Sequence, residues 1–103
     1  MTQLDDFLTH LTIERGLAVN SYDAYKRDLK AYLRHLAKRQ VLVLSEASYK
    51  DVKAFISSLR RRGLAPSSIS RHISSVRMFH RFLISEGLAQ SNPTDHIQTP
   101  KQP

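Results

Sequence analysis

Arginines and serines recur at helical spacing over residues 64–86, where they could bind phosphates and base edges. Small hydroxyl side chains let a helix backbone approach the floor of a DNA major groove, while guanidinium groups reach guanine edges or phosphates. A solvated face of an ordinary helix has the same composition, so this stretch alone does not decide between the two. The face comprises Ser67, Arg71, Ser74, Met78 and Arg81, with Ser70 and Arg77 beside it.

The helix that must carry this face has start and stop signals in the sequence. Pro66 suits the first turn of a helix, and Ser67 and Ser68 follow as candidate caps for free backbone N–H groups. Gly87 suits a left-handed helix end. The opposite side is an apolar stripe that we expect to be buried. It comprises Ile69, Ile73, Val76, His80 and Leu83, with Phe79 at its flank.

A second predicted helix also has one apolar and one basic side. It is predicted to start at Asn20, with Asp23 in the place of a capping box. Its apolar stripe comprises Tyr22, Tyr25, Leu29, Tyr32, Leu33 and Leu36, and its opposite face carries Arg27, Lys30, Arg34 and Lys38. A solvated lysine-rich face would look similar, but two basic-faced helices in one small domain favour a binding surface.

The remaining segments predict two more helices and no sheet. A first helix is expected over residues 2–15, with Thr2 as its cap, and a third begins after Ser45 or Ser48 and ends at the run 60–62. Residues 40–47 are interpreted as an apolar loop that packs over the core. Residues 92–95 form a turn or a cap, with one short fifth helical turn at 96–97 as an open alternative. The predicted fold is all-α, a compact four-helix bundle of two crossed helical hairpins.

Charge is the most informative bulk property of the 103 residues. Sixteen Lys and Arg against nine Asp and Glu give a net charge of +7 and a pI near 10.2. Residues 52–85 contain no acid and seven of the basic residues. A basic domain of this size usually binds a polyanion, and nucleic acid is the leading partner. An anionic membrane is a weaker alternative, because neither basic helix has an exposed bulky apolar face.

Enzymatic and cofactor chemistry has no support in the residue pattern. The three glycines lie at predicted helix ends rather than in a phosphate-binding loop, and there is no cysteine. No histidine is spaced to form a metal site, so we expect no metal, cofactor or small-molecule substrate. His80 is expected to be a hydrogen-bonded core histidine. For His72, donation to a phosphate and a plain position on the helix flank both stay open.

Several short motifs occur together in a specific order. They are ERGL at 14–17, AYKRDL at 24–29, GLAPSSISR at 63–71, RMF at 77–79 and NP at 92–93, ahead of PK at 100–101. In this order and spacing, the chain resembles the N-terminal core-binding (SAM-like) domain of tyrosine recombinases and phage integrases, closest to the Xer type. The resemblance covers nearly the whole chain, although each motif alone is weak.

The resemblance implies a division of labour between two domains. Residues 1–91 would be the DNA-binding domain, and residues 92–103 would begin the linker to a catalytic domain that this chain lacks. This chain would then not be an enzyme, whereas the full-length protein would cleave and rejoin DNA. Chromosome dimer resolution is the expected task, with integration of a phage or mobile element as the alternative. The implied partners are a duplex recombination site and other recombinase protomers, in the cytoplasm on the nucleoid.

The resemblance also implies where DNA is contacted. The positions that it marks are Ser21, Ala24, Arg27, Arg62, Ser67, Ser68, Arg71, Ser74 and Ser75, and the charge pattern alone adds Lys30, Arg34 and Arg77. Ser67 departs from the family pattern, in which lysine is common, so one phosphate contact is expected to be weaker. Two other classes stay open, namely a protein-interaction bundle with a merely solvated basic surface and an RNA-binding helical module.

Overall fold

Four α-helices make up the fold of residues 3–16 and 18–98, the part of the chain that the computed structural model describes. The helices are α1 (Gln3–Arg15), α2 (Val19–Lys38), α3 (Tyr49–Arg61) and α4 (Pro66–Ser85), with a short 3-10 helix at Leu44–Glu46. These residues contain no strand, which confirms the predicted all-α fold. Within this part of the chain, no helix is long and apolar enough to cross a membrane.

The core forms where the apolar stripes of all four helices meet. Helices α2 and α4 each pack against the other three helices, so they form the centre of the bundle. Every residue of the stripe predicted for α4 is buried. Phe7 of α1 packs against Phe79 and Phe82 of α4 at ring-centroid distances of 5.3 and 5.4 Å. Such tilted aromatic contacts stabilise a core beyond the area that they bury.

Of the helix caps that the structure describes, the one at α3 follows the prediction. Ser48 caps this helix by a capping box, in which Asp51 N–H donates to Ser48 Oγ at 3.2 Å and Ser48 N–H donates to Asp51 Oδ2 at 2.9 Å. The residues before α2 and α4 are Ala18 and Ala65, which have no side-chain acceptor, so the predicted caps at Asn20, Ser67 and Ser68 are wrong. Both alanines are exposed, and water can satisfy the first N–H groups. Thr2 lies outside the described residues.

The helix ends and the first turn of α4 follow the sequence more closely. Pro66 occupies the first turn of α4 as predicted, and α4 ends before Gly87, whose φ of 72° lies in the left-handed region. The loop over 40–47 packs only partly on the core. Its residues Val41 and Leu44 are half-buried, whereas Leu42 is 80% exposed.

The segment after α4 folds back onto the core. Asn92 Oδ1 accepts hydrogen bonds from Thr94 N–H at 2.9 Å and from Thr94 Oγ1 at 2.6 Å. Ile97 N–H donates to Thr94 O at 3.0 Å, and the Ile97 side chain is buried. Hydrogen-bonded turns thus take the place of the fifth helical turn. The Ile97 side chain is thus part of the buried core.

Candidate nucleic-acid interface

The outer face of α2 carries several exposed cations, with Asp23 beside them. Its apolar stripe turns Leu29, Tyr32 and Leu36 into the core, and helical spacing therefore turns the basic residues outward. None of these basic residues forms an ion pair within residues 3–16 and 18–98. Their positive potential is therefore available to an anionic partner. The exposed basic residues are Arg27, Lys30, Arg34 and Lys38.

The outer face of α4 has shorter side chains and fewer cations than the outer face of α2. Ser67, Arg71, Ser74 and Arg81 are exposed on one side of this helix, as the spacing predicts. Met78 belongs to the predicted face but is half-buried against the core. Ser70 is also only partly exposed. The accessible part of the face therefore consists of two hydroxyl groups and two guanidinium groups, with little side-chain bulk between them.

A buried carboxylate joins α2 to α4. Asp28 is 1% exposed and accepts two hydrogen bonds from Arg71 of α4, from Nε at 2.9 Å and from Nη2 at 3.0 Å. Ser75 Oγ donates to the same carboxylate at 3.2 Å. Hydrogen bonding to Asp28 raises the pKa of Arg71 above its ordinary value. A buried charge is tolerated only when it is paired and hydrogen-bonded, and these contacts meet that requirement for Asp28.

His72 completes this polar cluster from the next position of α4. Its Nδ1 lies 2.8 Å from Ser68 O, and since a carbonyl oxygen only accepts, Nδ1–H is the donor. Its Nε2 lies 3.4 Å from Asp28 Oδ1. Since His72 is buried, it does not extend to a phosphate, and of the two open interpretations the structure favours the position within the helix packing. The Asp28 cluster, which we define as Asp28, Arg71, His72 and Ser75, fixes how α4 crosses α2.

The Asp28 cluster lies where α2 meets α4, next to several of the predicted contact residues. Arg27 precedes Asp28 in the chain, and Ala24 lies one helical turn earlier on the side of α2 that Arg71 approaches. Ala24 is half-buried and Ser21 is exposed. Arg62 is exposed at the end of α3, immediately before the turn that leads into α4. The Asp28–Arg71 pair thus brings Arg71 of α4 against the residue that follows Arg27 in α2.

Two predicted contact residues have other roles in the structure. Ser75 is fully buried, and its hydroxyl is bound to Asp28. Arg77 is half-buried, and its Nη2 donates to Ile97 O at 2.8 Å and to Thr94 O at 3.5 Å. Both residues lie at the edge of the apolar stripe, where helical spacing does not separate an exposed side chain from a buried one. The structure therefore does not support Ser75 and Arg77 as direct contacts to DNA.

Asp28 itself was not among the predicted site residues. It lies three residues after Tyr25 and four before Tyr32, both of which are on the apolar stripe of α2. A carboxylate at such a position must be buried with a partner, and the arginine-rich α4 offers one. That position on the stripe is the signal in the sequence that could have identified Asp28.

Comparison of the sequence with known proteins gives a match to a protein family. The family described as "Phage integrase, N-terminal SAM-like domain" matches residues 4–87. A tyrosine recombinase XerD from Oceanobacillus iheyensis is 41% identical over 100 residues, which cover 96% of this chain and 34% of the relative. A XerD from Chlorobaculum tepidum is 43% identical over 95% of this chain and 32% of its own length.

A tyrosine recombinase XerC from Roseiflexus castenholzii is 36% identical over 96% of this chain and 32% of its own length. The chain thus spans about a third of the length of these curated relatives. No solved structure matches the chain.

Proposed function

The chain belongs to the phage integrase N-terminal SAM-like domain family, and on this premise we propose that it binds duplex DNA as the N-terminal half of a site-specific tyrosine recombinase. The observation that supports the proposal is the pair of hydrogen bonds between Asp28 of α2 and Arg71 of α4, which joins the two helices that carry the predicted contact residues. Helix α2 supplies exposed cations, and α4 supplies small hydroxyl groups and a guanidinium group held by Asp28.

These two faces suit different parts of a DNA duplex. Long basic side chains on α2 reach phosphates, which determine affinity and orientation but carry no sequence information. An α-helix fits the width of the major groove, and the small side chains of α4 allow its backbone to approach the base pairs. We therefore assign phosphate binding mainly to Arg27, Lys30 and Arg34, and the approach to base edges to Ser67, Arg71 and Ser74.

The task of the whole recombinase is a further proposal. The relatives are named XerD and XerC, which favours resolution of chromosome dimers, with integration of a phage or mobile element as the alternative. The partners would be a duplex recombination site and other recombinase protomers, and action on a chromosome would place the protein in the cytoplasm on the nucleoid. We assign no bond-breaking step to the residues of this chain.

Binding to a short fluorescent duplex across a salt series tests the DNA-binding proposal. Four to six phosphate contacts predict a slope of log K against log salt of about −4 to −5. Arg34→Ala is expected to make this slope shallower by about 1, because one phosphate contact is lost. Lys50→Ala is the matched control, since Lys50 is an exposed cation on α3 outside the proposed interface, and this variant should retain the slope.

The other two function classes make different predictions in the same assay. A protein-interaction bundle with a solvated basic surface would not bind the duplex even at low salt. An RNA-binding module would release the duplex when a single-stranded or hairpin RNA competes at equal concentration. Either result would refute the DNA-binding proposal. Equal effects of Arg34→Ala and Lys50→Ala on the slope would instead refute the assignment of α2 as the phosphate-binding helix.

A further inference from the structure

Asp28 binds one edge of the Arg71 guanidinium group, and no other residue among those that the structure describes binds the end of this group. We propose that Asp28 is a positioning residue that holds Arg71 so that its free edge recognises a guanine in the major groove. This proposal rests on the proposed DNA-binding function and specifies which residue reads sequence and which base it prefers. Asp28 would act through Arg71 and would not itself contact the DNA.

The N–H donors of Arg71 that Asp28 does not bind have a geometry that matches the acceptors of a guanine. A guanidinium group has five N–H donors in a rigid plane. Asp28 accepts from Nε and from Nη2, which lie on one edge of that plane. The remaining N–H of Nη2 and one N–H of Nη1 point together from the end of the side chain. These two parallel donors match the O6 and N7 acceptors that guanine presents in the major groove.

The Asp28–Arg71 pair also holds the guanidinium group of Arg71 in a fixed orientation. The Arg71 side chain is 48% exposed and therefore accessible to a ligand, whereas the carboxylate that holds it is 1% exposed. Asp28 is fixed in turn by the backbone of α2 and by the hydroxyl of Ser75. A free arginine loses rotamer freedom when it binds, but Arg71 has already lost much of it in the unbound protein. Such preorganisation favours directional hydrogen bonds over a non-directional electrostatic contact.

The charge of the Asp28–Arg71 pair favours a base rather than a phosphate as the target of Arg71. The Asp28 carboxylate lies within hydrogen-bonding distance of Arg71 and offsets much of its positive charge toward a phosphate. The directional hydrogen bonds of the free edge are retained. By contrast, Arg27 and Arg34 form no ion pair with the residues that the structure describes. Arg71 is therefore better suited to a neutral base edge than are Arg27 or Arg34.

The residues next to Arg71 on α4 also favour contact between Arg71 and a base edge. Its neighbours on the exposed face of α4, one helical turn to either side, are Ser67 and Ser74. Both side chains are shorter than that of Arg71, and short side chains on a helix leave room for a base pair to approach it.

Selection from a library of duplexes with randomised sequence tests the proposal. The wild-type chain should enrich a guanine at one position of the selected duplexes. Arg71→Lys keeps the positive charge but removes the paired donors, and it should abolish the preference at that position only. Asp28→Asn should weaken the same preference, and in the Arg71→Lys background it should cause no further loss. Arg39→Lys is the matched control, because Arg39 forms the other arginine–aspartate pair, with Asp51 at 2.8 Å.

A chemical substitution in the DNA provides the second measurement. Replacing the selected guanine by 7-deazaguanine removes the N7 acceptor and should weaken wild-type binding about tenfold, as expected for the loss of part of a bidentate contact. The same replacement should not affect Arg71→Lys. This comparison needs only Arg71→Lys, in which Asp28 is unchanged, so it stays decisive even if Asp28→Asn does not fold.

The outcomes separate this proposal from the function on which it rests. Failure of the wild-type chain to bind a duplex in a salt-dependent way would refute the DNA-binding function itself. Salt-dependent binding without an enriched guanine would leave that function in place and overturn the role of Arg71. The role would also be overturned if a neutral methylphosphonate linkage, rather than 7-deazaguanine, removed the difference between wild type and Arg71→Lys. A preference unchanged in a folded Asp28→Asn variant would overturn the role of Asp28.

Discussion

A buried histidine should make the stability of this fold depend on pH in the mildly acidic range. His80 is 1% exposed and lies in the core between α2 and α4. A hydrogen bond of 2.7 Å joins its Nε2 to Tyr32 Oη, whereas its Nδ1 has no hydrogen-bond partner in the part of the chain that the structure describes. Burial lowers the pKa of His80 from 6.5 to about 4. The imidazole is therefore neutral in the folded protein at pH 7 and costs free energy to protonate there.

The direction of the effect follows from the two pKa values. Since the pKa in the unfolded chain is the higher one, the unfolded state takes up a proton first as the pH falls below about 6.5. The contribution of His80 to the free energy of unfolding is thus fully present above pH 6.5 and is lost progressively toward pH 4. At about 1.4 kcal/mol per pH unit, the complete loss is about 3 kcal/mol, of which about 2.5 kcal/mol is lost by pH 4.5.

Urea unfolding followed by far-UV circular dichroism at pH 7.5, 6.5, 5.5 and 4.5 measures this loss. His80→Gln keeps a polar group near Tyr32 but cannot titrate. We expect this variant to be less stable than wild type at pH 7.5, because the glutamine fills the site less well. Between pH 7.5 and 4.5 it should lose about 2.5 kcal/mol less free energy of unfolding than wild type does.

A surface histidine provides the control for this prediction. His96 is exposed, and His96→Gln should show the same loss of stability with falling pH as wild type. Carboxylates contribute to the lower part of the pH range, but they are present in all three proteins. Parallel curves for wild type and His80→Gln would refute the reasoning, because the folded protein would then accept a proton at His80 as readily as the unfolded chain does.

Two further predictions concern helix α3. Ser48→Ala removes the side-chain cap that accepts from Asp51 N–H and should lower the free energy of unfolding by about 1 kcal/mol, measured by urea unfolding at pH 7; an unchanged midpoint would show that water replaces the cap. Arg62→Ala should weaken binding to a selected duplex and to a scrambled duplex by the same factor in a fluorescence anisotropy titration, because a phosphate contact carries no sequence information. A loss confined to the selected duplex would place Arg62 at a base instead.

The buried stripes could be predicted from the sequence, but the helix caps could not. Hydrophobic periodicity identifies Ile69, Ile73 and Leu83 because burial depends on a pattern that extends over five turns of helix. A cap depends on the conformation of a single residue. Ala18 and Ala65 adopt the extended conformation before α2 and α4, and nearby residues that favour caps, such as Asn20 and Ser67, lie inside the helices. Local propensity is therefore outweighed there by the packing of the whole helix.

In the candidate site, helical spacing likewise predicts which residues lie in the middle of a helix face but not which residues at its edges are exposed. Arg27, Lys30 and Arg34 lie opposite the apolar stripe of α2, and their exposure could be predicted from spacing alone. Ser75 and Arg77 flank the stripe of α4, and only the neighbouring elements decide whether they face solvent. Ser75 is covered because Asp28 of α2 lies against it, and Arg77 is drawn to the carbonyl groups of the segment after α4. Such contacts between distant segments have no signature in a single helical pattern.

The position of Asp28 indicates why the two cationic faces are not equivalent. A carboxylate in the middle of a basic helix weakens the attraction of that helix to phosphates, so its presence needs a physical reason. Replacement of a buried ion pair by apolar residues is often neutral or stabilising, so the pair with Arg71 is weak evidence of a role in stability. What the pair does fix is the orientation of one guanidinium group on the face that otherwise carries small side chains. Cations free to follow the phosphates on α2 and one arginine held in place on α4 are the combination that a domain needs to bind DNA strongly and to distinguish one sequence from another.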